Sequence, residues 1–459
     1  MENENQRWDF IIIGGGIAGL AIAELLQRSG ASVLLLEKNK TLCSQASAEQ
    51  QGWFHTGALY TALPGNFFCR TLVGNLDDLI DYYRVFPNMN LRVDKHIYTA
   101  DRNGWFSNRT NFYLYSNSKG VAWKWKIPWT VALHRAKRRM SWFEMLDASR
   151  SLSHQMGFGS KPIKSVVHAS RLGVSIDNVA FTLKSRDRAM NTQLIATDLL
   201  RSYIGCGGTI RTQTQVRTME QGKVTATNGT GDTLRFHARH VILAAGKESQ
   251  KFSDEIRVFL SPLLVVLPAL TDISFVNMSP HMEQTINHIY HHHAGLDYSV
   301  IGNAAYYTAY AISPEVLREA AAKLSRIAKR VFPDLDDRKS AIFYGYKTEL
   351  TRSPSIRNYL YHIQDNQNYT LALPGKFSLC FSLAANVCRH FGIEPVSLTG
   401  LTSDISVEHL VAYPRHHQIA SDLAAELKEP INKMTAGNRG IQKRMRVCTS
   451  DIQEGTARE

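Results

Sequence analysis

The chain has 459 residues, 44% of them apolar and 20% charged, and carries a formal net charge of +13. That length exceeds what one simple core organises, so two domains are expected, and the composition is that of a globular protein rather than a disordered one. The longest apolar runs, such as residues 263–270 with Pro268 inside, are too short to cross a bilayer. The first residues, Met1-Glu2-Asn3-Glu4-Asn5, lack the basic-then-apolar order of a secretory signal. Six scattered cysteines contain no Cys-x-x-Cys pair, so reduced thiols in a cytoplasmic setting are expected, with no disulfide framework and no metal site.

In chain order, residues 8–13 read as an apolar strand, followed by glycines at 14, 16 and 19, a helix, a second apolar strand over 33–36, and then Glu37. This is the dinucleotide-binding βαβ pattern. Gly14 permits the tight turn, Gly16 lets backbone approach a pyrophosphate, and Gly19 lets helix pack on strand. The N–H groups of the helix start, around Ile17 and Ala18, face the anion, and Glu37 is placed to accept from a ribose. Residues 40–70 read as a loop and the start of a helix. Residues 88–130 alternate apolar and polar with many aromatics and read as antiparallel sheet. Helices are expected over 141–156 and 191–204, the second stopped by Gly207-Gly208. A strand over 209–216 precedes a hairpin of 223–227 and 233–236 around Asn228-Gly229. Residues 240–246 read as a buried strand and 260–310 as further strands. Helices follow over 314–330 and 376–391, and the polar end, from about 430, is expected to fray. The order βαβ, sheet, α/β, sheet, helix implies two interleaved domains. Residues 1–87, 141–256 and 346–430 form the nucleotide-binding domain, 88–140 and 257–345 the second domain, and 431–459 a basic tail.

The positive charge clusters twice. Residues 135–139 follow Trp123, Trp125 and Trp129, and the tail carries Lys433, Arg439, Lys443, Arg444 and Arg446. Such an excess suits an anionic substrate, an acidic membrane surface or nucleic acid. Basic residues interleaved with tryptophan mark membrane interfaces or single-strand stacking surfaces, and are also found as ordinary charged faces beside core aromatics.

Four segments resemble FAD-dependent oxidoreductases of the D-amino-acid oxidase type. The first is the N-terminal pattern with Glu37-Lys38. The second, residues 43–60, is similar to the small-residue, Gly-x-x-His-x-Gly-x-x-Tyr loop of glycerol-3-phosphate and L-2-hydroxyglutarate dehydrogenases. The third joins Thr214–Val216 to the strand ending Ala244-Ala245-Gly246. The fourth, residues 373–378, resembles the Gly-Lys-x-Thr segment whose helix start faces the flavin pyrimidine. Glu49-Gln50-Gln51 departs from the small residues usual in the second segment.

The resemblance implies a Rossmann-like FAD-binding domain interleaved with a mostly antiparallel β-sheet substrate domain, an α/β and α+β fold. It implies FAD as cofactor, held by Gly14, Gly16, Ile17, Ala18, Gly19, Glu37, Lys38, Ala46, Ser47, Gly52, Val216, Ala245, Gly246, Gly375, Lys376, Phe377 and Ser378. It also implies hydride transfer to flavin N5 from a small anionic 2-hydroxy acid, polyol phosphate or amino acid, with quinone, oxygen or another compound as electron acceptor. His55, whose ring titrates near neutral pH, is the candidate base. Lys347 and Arg352, with Arg357 beside them, are candidates to clamp the substrate anion. Location at the inner membrane surface is a further expectation of the basic, Trp-rich segment. An RNA-acting flavoenzyme and a non-catalytic FAD-binding protein are the alternatives, with nucleic acid the less expected partner. The histidines at 281, 288 and 291–293 invite a metal reading, but they sit in strand-like text without a completing cysteine, which favours exposed strand positions or a pocket rim.

Overall fold

Continuous apolar text at residues 10–13 and 33–36 has no polar face to offer water, so both strands need cover on two sides. The computed structural model provides it with helices on one face of a parallel sheet, while Ile11, Ile13, Leu34 and Leu36 on the other face pack against Met219, Val224 and Ile256 of further strands. The structure describes residues 6–428, except 66, 95–96, 101–103, 110, 120, 146–161, 164–173, 175, 177–178, 186, 281–284, 309–312, 352–357, 359 and 399–404. Strand β1 (Arg7–Ile13) pairs in parallel with β2 (Val33–Leu36) on one side and β13 (Thr233–Leu243) on the other. β10 (Thr209–Arg211) extends the sheet beyond β2, and β21 (Thr370–Leu373) extends it beyond β13, both in parallel. β20 (His362–Asp365) closes that edge antiparallel. β11 (Gln215–Glu220) and β12 (Lys223–Thr227) form an antiparallel flap on the first half of β13. The chain leaves β1 toward β2 and returns on its other side at β13. The carboxyl end of β1 is therefore a topological switch point, where a crevice opens.

Helices α1 (Ile17–Arg28), α4 (Thr192–Gly205) and α6 (Cys380–His390) cover this sheet, burying Leu20, Leu25, Leu199 and Leu383 in one cluster. Asn191 starts α4 by accepting the Leu194 N–H at 3.1 Å.

Among the described residues the second sheet has nine strands: β6 (Asn111–Ser116), β7 (Pro162–Ile163), β8 (Val179–Ser185), β14 (Ile256–Val266), β15 (Ser274–Met278), β16 (Ile286–His293), β17 (Leu296–Asn303), β18 (Tyr307–Thr308) and β19 (Ser340–Leu350). Its described pairings are antiparallel except β6 with β15. Strand alternation sends Phe112, Leu114 and Phe275 to one face, against α5 (Pro314–Val331). Tyr113, Tyr115 and Val276 go to the other, against α3 (Trp123–Met145). Ser313 caps α5 by accepting the Val316 N–H at 3.4 Å, and Leu317, Ala321, Leu324 and Ala328 form its buried stripe. α7 (Arg415–Lys428) packs Ile419 and Ala420 on Leu263 and Val265. α2 (Phe67–Tyr83), the two-residue pair β3 (Trp53–Phe54) with β9 (Arg188–Ala189), and the antiparallel pair β4 (Leu91–Asp94) with β5 (Ile97–Ala100) complete the described α-helices and strands.

Several sequence expectations change. Sheet text over 88–130 ends at Ser116, and α3 begins at Trp123 rather than near 141. Trp129, Ala132, Leu133 and Ala136 recur at helical spacing and pack inward, and that stripe outweighs the local β preference of the tryptophans. Residues 146–156 of the expected helix lie outside the described residues, as does the tail from 429. The strand expected over 209–216 breaks at 212–214, where the Thr214 N–H turns to the Glu37 carbonyl at 2.8 Å. The strands expected at 233–236 and 240–246 are one strand, β13, and its hairpin loop spans 228–232. Strand β8 pairs with β6 and β7 pairs with β8, so residues 162–163 and 179–185 sit with the second sheet rather than the first.

Candidate functional site

At the switch point the chain turns sharply at Gly14, whose φ is +107°. A Cβ there would lie 2.6 Å from the Ala244 carbonyl oxygen of the neighbouring strand, and a Cβ at Gly19 would overlap the Gly14 carbonyl oxygen. Helix α1 can meet its strand this closely only through glycine. Gly16 caps α1 with no side chain, so the helix N-terminus opens into the crevice. The Ser47 hydroxyl accepts the Ile17 N–H at 3.0 Å, and the Cys43 N–H reaches the Gly15 carbonyl at 2.9 Å. These two bonds fasten the 43–52 loop over the turn.

Glu37 is buried and uses both carboxylate oxygens, Oε2 accepting the Gly15 N–H at 2.6 Å and Oε1 the Asn39 N–H at 2.8 Å. Each oxygen keeps a second lone pair. Burial pushes this carboxyl above the ordinary range, opposed by those two bonds. Lys38 pairs with Glu248 at 2.8 Å, and Lys251 holds the same carboxylate at 2.7 Å. Burial works against the charge on Glu248, but the Lys251 and Lys38 bonds prevail and hold it at about 2.

A cavity of about 590 Å³ runs from this turn to the inner face of the second sheet. Gly14, Gly16, Ile17, Ala18, Glu37, Lys38, Ala46, Ser47, Val216, Ala245, Gly246, Gly375, Lys376 and Phe377 line it, together with His55 and Lys347. Three expected lining positions lie behind the wall. Gly19 sits under the turn, a Cβ at Gly52 would lie 2.9 Å from the His291 ring, and Ser378 is buried with its carbonyl accepting from Asn75 Nδ2 at 2.8 Å. Arg352 and Arg357 lie outside the described residues.

Ser261, Asn287 and Asn303, which sequence reading did not single out, complete the wall from β14, β16 and β17. Trp129, read from sequence with the basic segment, joins them from α3. Gln51 and Asn287 exchange amide hydrogen bonds at 3.2 and 2.8 Å, tying the loop to the second sheet. The Lys347 ammonium donates to the Ser261 hydroxyl at 3.3 Å. Lys376, in the short link before α6, places its ammonium 5.5 Å from the Tyr60 ring centre.

Behind His55 lies Asp187, fully buried beside β9. Its carboxylate accepts from Trp53 Nε1 at 2.8 Å, from the Thr56 N–H at 2.8 Å, from the Thr56 hydroxyl at 2.6 Å and from the Tyr113 hydroxyl at 2.5 Å. Burial opposes its charge, but His55 and these donors keep the carboxyl below its ordinary range. His55 Nδ1 is buried 3.6 Å from Asp187 Oδ2, too far for a hydrogen bond but close enough to feel the charge. Burial, then the nearby Lys376 and Lys347 charges, lower the His55 pKa to about 4 against the pull of Asp187. His55 is a neutral imidazole at pH 7. Sequence gave no sign of Asp187, because the β3–β9 pairing joins it to His55 across more than a hundred residues.

The histidine run alternates along β16. Of the positions expected to be exposed or at a pocket rim, His288 and His291 are buried, His291 against the loop at Gln51 and Gly52, His293 is half-buried and His292 is exposed, while His281 lies outside the described residues. His288 bonds the Ile273 carbonyl at 3.0 Å and the Ser299 hydroxyl at 2.7 Å, while His291 bonds the Gln51 carbonyl at 2.9 Å. These are structural contacts, and among the described residues no group of three or more His, Cys, Asp or Glu is arranged to hold a metal.

The glycine turn at a switch point, the acid after the second strand and the shared cavity define a dinucleotide-binding protein built on two sheets. The family model for DAO, FAD-dependent oxidoreductase, matches residues 9–373, and the chain belongs to that family. FAD is its cofactor. The cradle fits that group: a turn that only glycine can make, a helix start whose N-cap residue, Gly16, carries no side chain, and a buried carboxylate with lone pairs to spare. No curated protein sequence matches the chain. Among solved structures it is similar to L-α-glycerophosphate oxidase from Mycoplasma pneumoniae, with a TM-score of 0.62 at 14% identity, covering 86% of this chain and 97% of that one. It is also similar to glycine oxidase from Geobacillus kaustophilus (TM-score 0.58, 13% identity, 88% and 100% covered). A third is L-proline dehydrogenase from P. horikoshii (TM-score 0.59, 13% identity, 86% and 96% covered). At these identities the likeness concerns the fold.

Proposed function

We propose that this chain oxidises a small anionic 2-hydroxy acid, polyol phosphate or amino acid at a CH–OH or CH–NH carbon. One observation carries the reading: a neutral imidazole, His55, shares a cavity with the Lys347 and Lys376 ammonium groups and with the glycine turn of β1. Bound FAD supplies the two-electron acceptor. The turn at Gly14–Ala18 with Ala46 and Ser47 would hold its pyrophosphate, Glu37 and Lys38 its ribose end, and Val216, Ala245 and Gly246 its adenosine side. Gly375, Lys376 and Phe377 would face the flavin pyrimidine, where a positive group favours the charge that develops on reduction.

His55 takes the substrate O–H or N–H proton on Nε2, the ring nitrogen away from Asp187. The buried Asp187 carboxylate orients the ring and stabilises the imidazolium as it forms. Lys347 holds the substrate carboxylate or phosphate, and Arg352 is assigned with it from the sequence. The relatives' names, a glycerophosphate oxidase, a glycine oxidase and a proline dehydrogenase, span alcohol and amine chemistry, which supports keeping both carbon types in the substrate class.

The test is an anaerobic visible spectrum of the FAD-loaded protein during addition of 2-hydroxy acids, polyol phosphates and amino acids one at a time. Bleaching of the flavin band by one compound is the expected result, and readmitted air then separates oxygen from quinone or other acceptors. A flavin that dithionite bleaches and no compound of these classes does would overturn the reading.

A further inference from the structure

The outer face of α3 carries exposed large apolar side chains that the redox site does not use. Sequence alone groups its three tryptophans and five-residue basic run together, but the structure separates them. Trp129 turns inward, its Nε1 donating to the Ser116 carbonyl at 2.8 Å, and lines the cavity together with Ala132. Arg135 and Arg139 reach back to the carbonyls of Ala62 and Thr61, each at 3.1 Å, so they fasten α3 beside the cavity mouth. What remains outward is Trp123, Trp125, Ile127 and Val131, with exposures of 82, 55, 68 and 47%. Lys124, Lys126, Lys137 and Arg138 are exposed among them, and no Asp or Glu occurs between Lys119 and Phe143.

A second apolar group continues this surface across the mouth. Leu63 is exposed and also lines the cavity, and Phe67 is 71% exposed at the start of α2. Phe67 meets Phe68, which stacks on the cavity residue Tyr60 at 5.4 Å. Large apolar side chains this open to water mark a contact surface. Indole and isoleucine beside lysine, with no acid, match a leaflet that offers an apolar interior under anionic headgroups. Among the described residues no helix is long and apolar enough to cross a membrane.

We infer that the outer face of α3, with Leu63 and Phe67, docks on an anionic lipid bilayer and sets the mouth of the cavity against it. Trp123, Trp125 and Ile127 enter the headgroup boundary while Lys124 and Lys126 meet lipid phosphates. The occupant is anionic lipid because apolar insertion and charge pairing are needed from one partner at once. The inference does not depend on which substrate the site takes.

The FAD-loaded protein is sedimented with phosphatidylcholine vesicles containing phosphatidylglycerol and with vesicles of phosphatidylcholine alone, at low and high salt. Binding to the anionic vesicles, weakened by salt and accompanied by a blue shift of tryptophan emission, is expected. Trp123→Ala with Trp125→Ala and Ile127→Ser removes the shift and weakens binding about tenfold or more. Lys124→Gln with Lys126→Gln weakens it roughly 30-fold, at about 1 kcal/mol per basic residue near such a surface. These positions are exposed, so flavin content and Tm should stay at wild type, and both are measured to exclude misfolding. Absence of binding to anionic vesicles at low salt overturns the inference. So does binding that both variants keep, which would place the contact elsewhere on the chain. Binding of a single-stranded oligoribonucleotide lost in the same variants, with none to vesicles, assigns the surface to nucleic acid instead.

Discussion

The two sheets build the two ends of one cavity by different means. The parallel sheet works through backbone: a glycine turn, an open helix N-terminus and a carboxylate clamped by N–H groups. The antiparallel sheet works through side chains from strands far apart in sequence: Ser261, Asn287, Asn303 and Lys347. Backbone recognition leaves a compact sequence signature, because only glycine tolerates the turn. Side-chain recognition leaves almost none, because any strand can carry a serine or an asparagine.

If that contrast holds, the largest loss comes from the backbone end. Gly19→Leu places a side chain into the Gly14 carbonyl, so it should cost more than about 4 kcal/mol and abolish FAD retention, read as flavin absorbance in the purified protein. Gly65→Ala, at φ +71° with open space around it, should cost only about 1 kcal/mol, in the range of a local backbone effect. Equal losses would dissolve the distinction.

Chemistry at the side-chain end comes next. His55→Ala should slow flavin reduction by roughly 10²–10⁴ with FAD still bound, measured in single-turnover stopped flow. Because burial and two ammonium groups hold the His55 pKa near 4, the wild-type rate should stay level from pH 8 toward 5 and fall only below. A fall centred near 6.5 would show an unperturbed imidazole.

Stability should respond to acid through the buried histidines. Burial lowers His288 to about 3 and His291 to about 4. Over the window from 6.5 down to those values the unfolded chain binds the proton and the folded chain does not. Falling pH therefore favours unfolding, by about 2 kcal/mol per histidine at pH 5. A Tm that declines steeply between pH 6.5 and 5, with a shallower slope in His291→Gln, is the expected record. The smallest effect belongs to Lys347→Met, which should raise KM about tenfold and leave kcat nearly unchanged, as expected for loss of an anion contact on an exposed lysine.

The sequence determined the first βαβ unit, the cofactor class and most of the residues that line the cavity at the glycine turn, because turn chemistry and apolar periodicity are local properties. It also pointed to His55 and Lys347, through a resemblance rather than through spacing. Tertiary structure decided the rest. It made residues 123–145 a helix, since a buried stripe formed only once the second sheet was there to receive it. It buried His288 and His291, which the sequence left as exposed positions or a pocket rim, because strand alternation is read against a face the sequence does not name. It brought Asp187 behind His55 through the β3–β9 pairing. Contacts of that separation depend on where distant segments meet after folding, and no local pattern encodes that meeting.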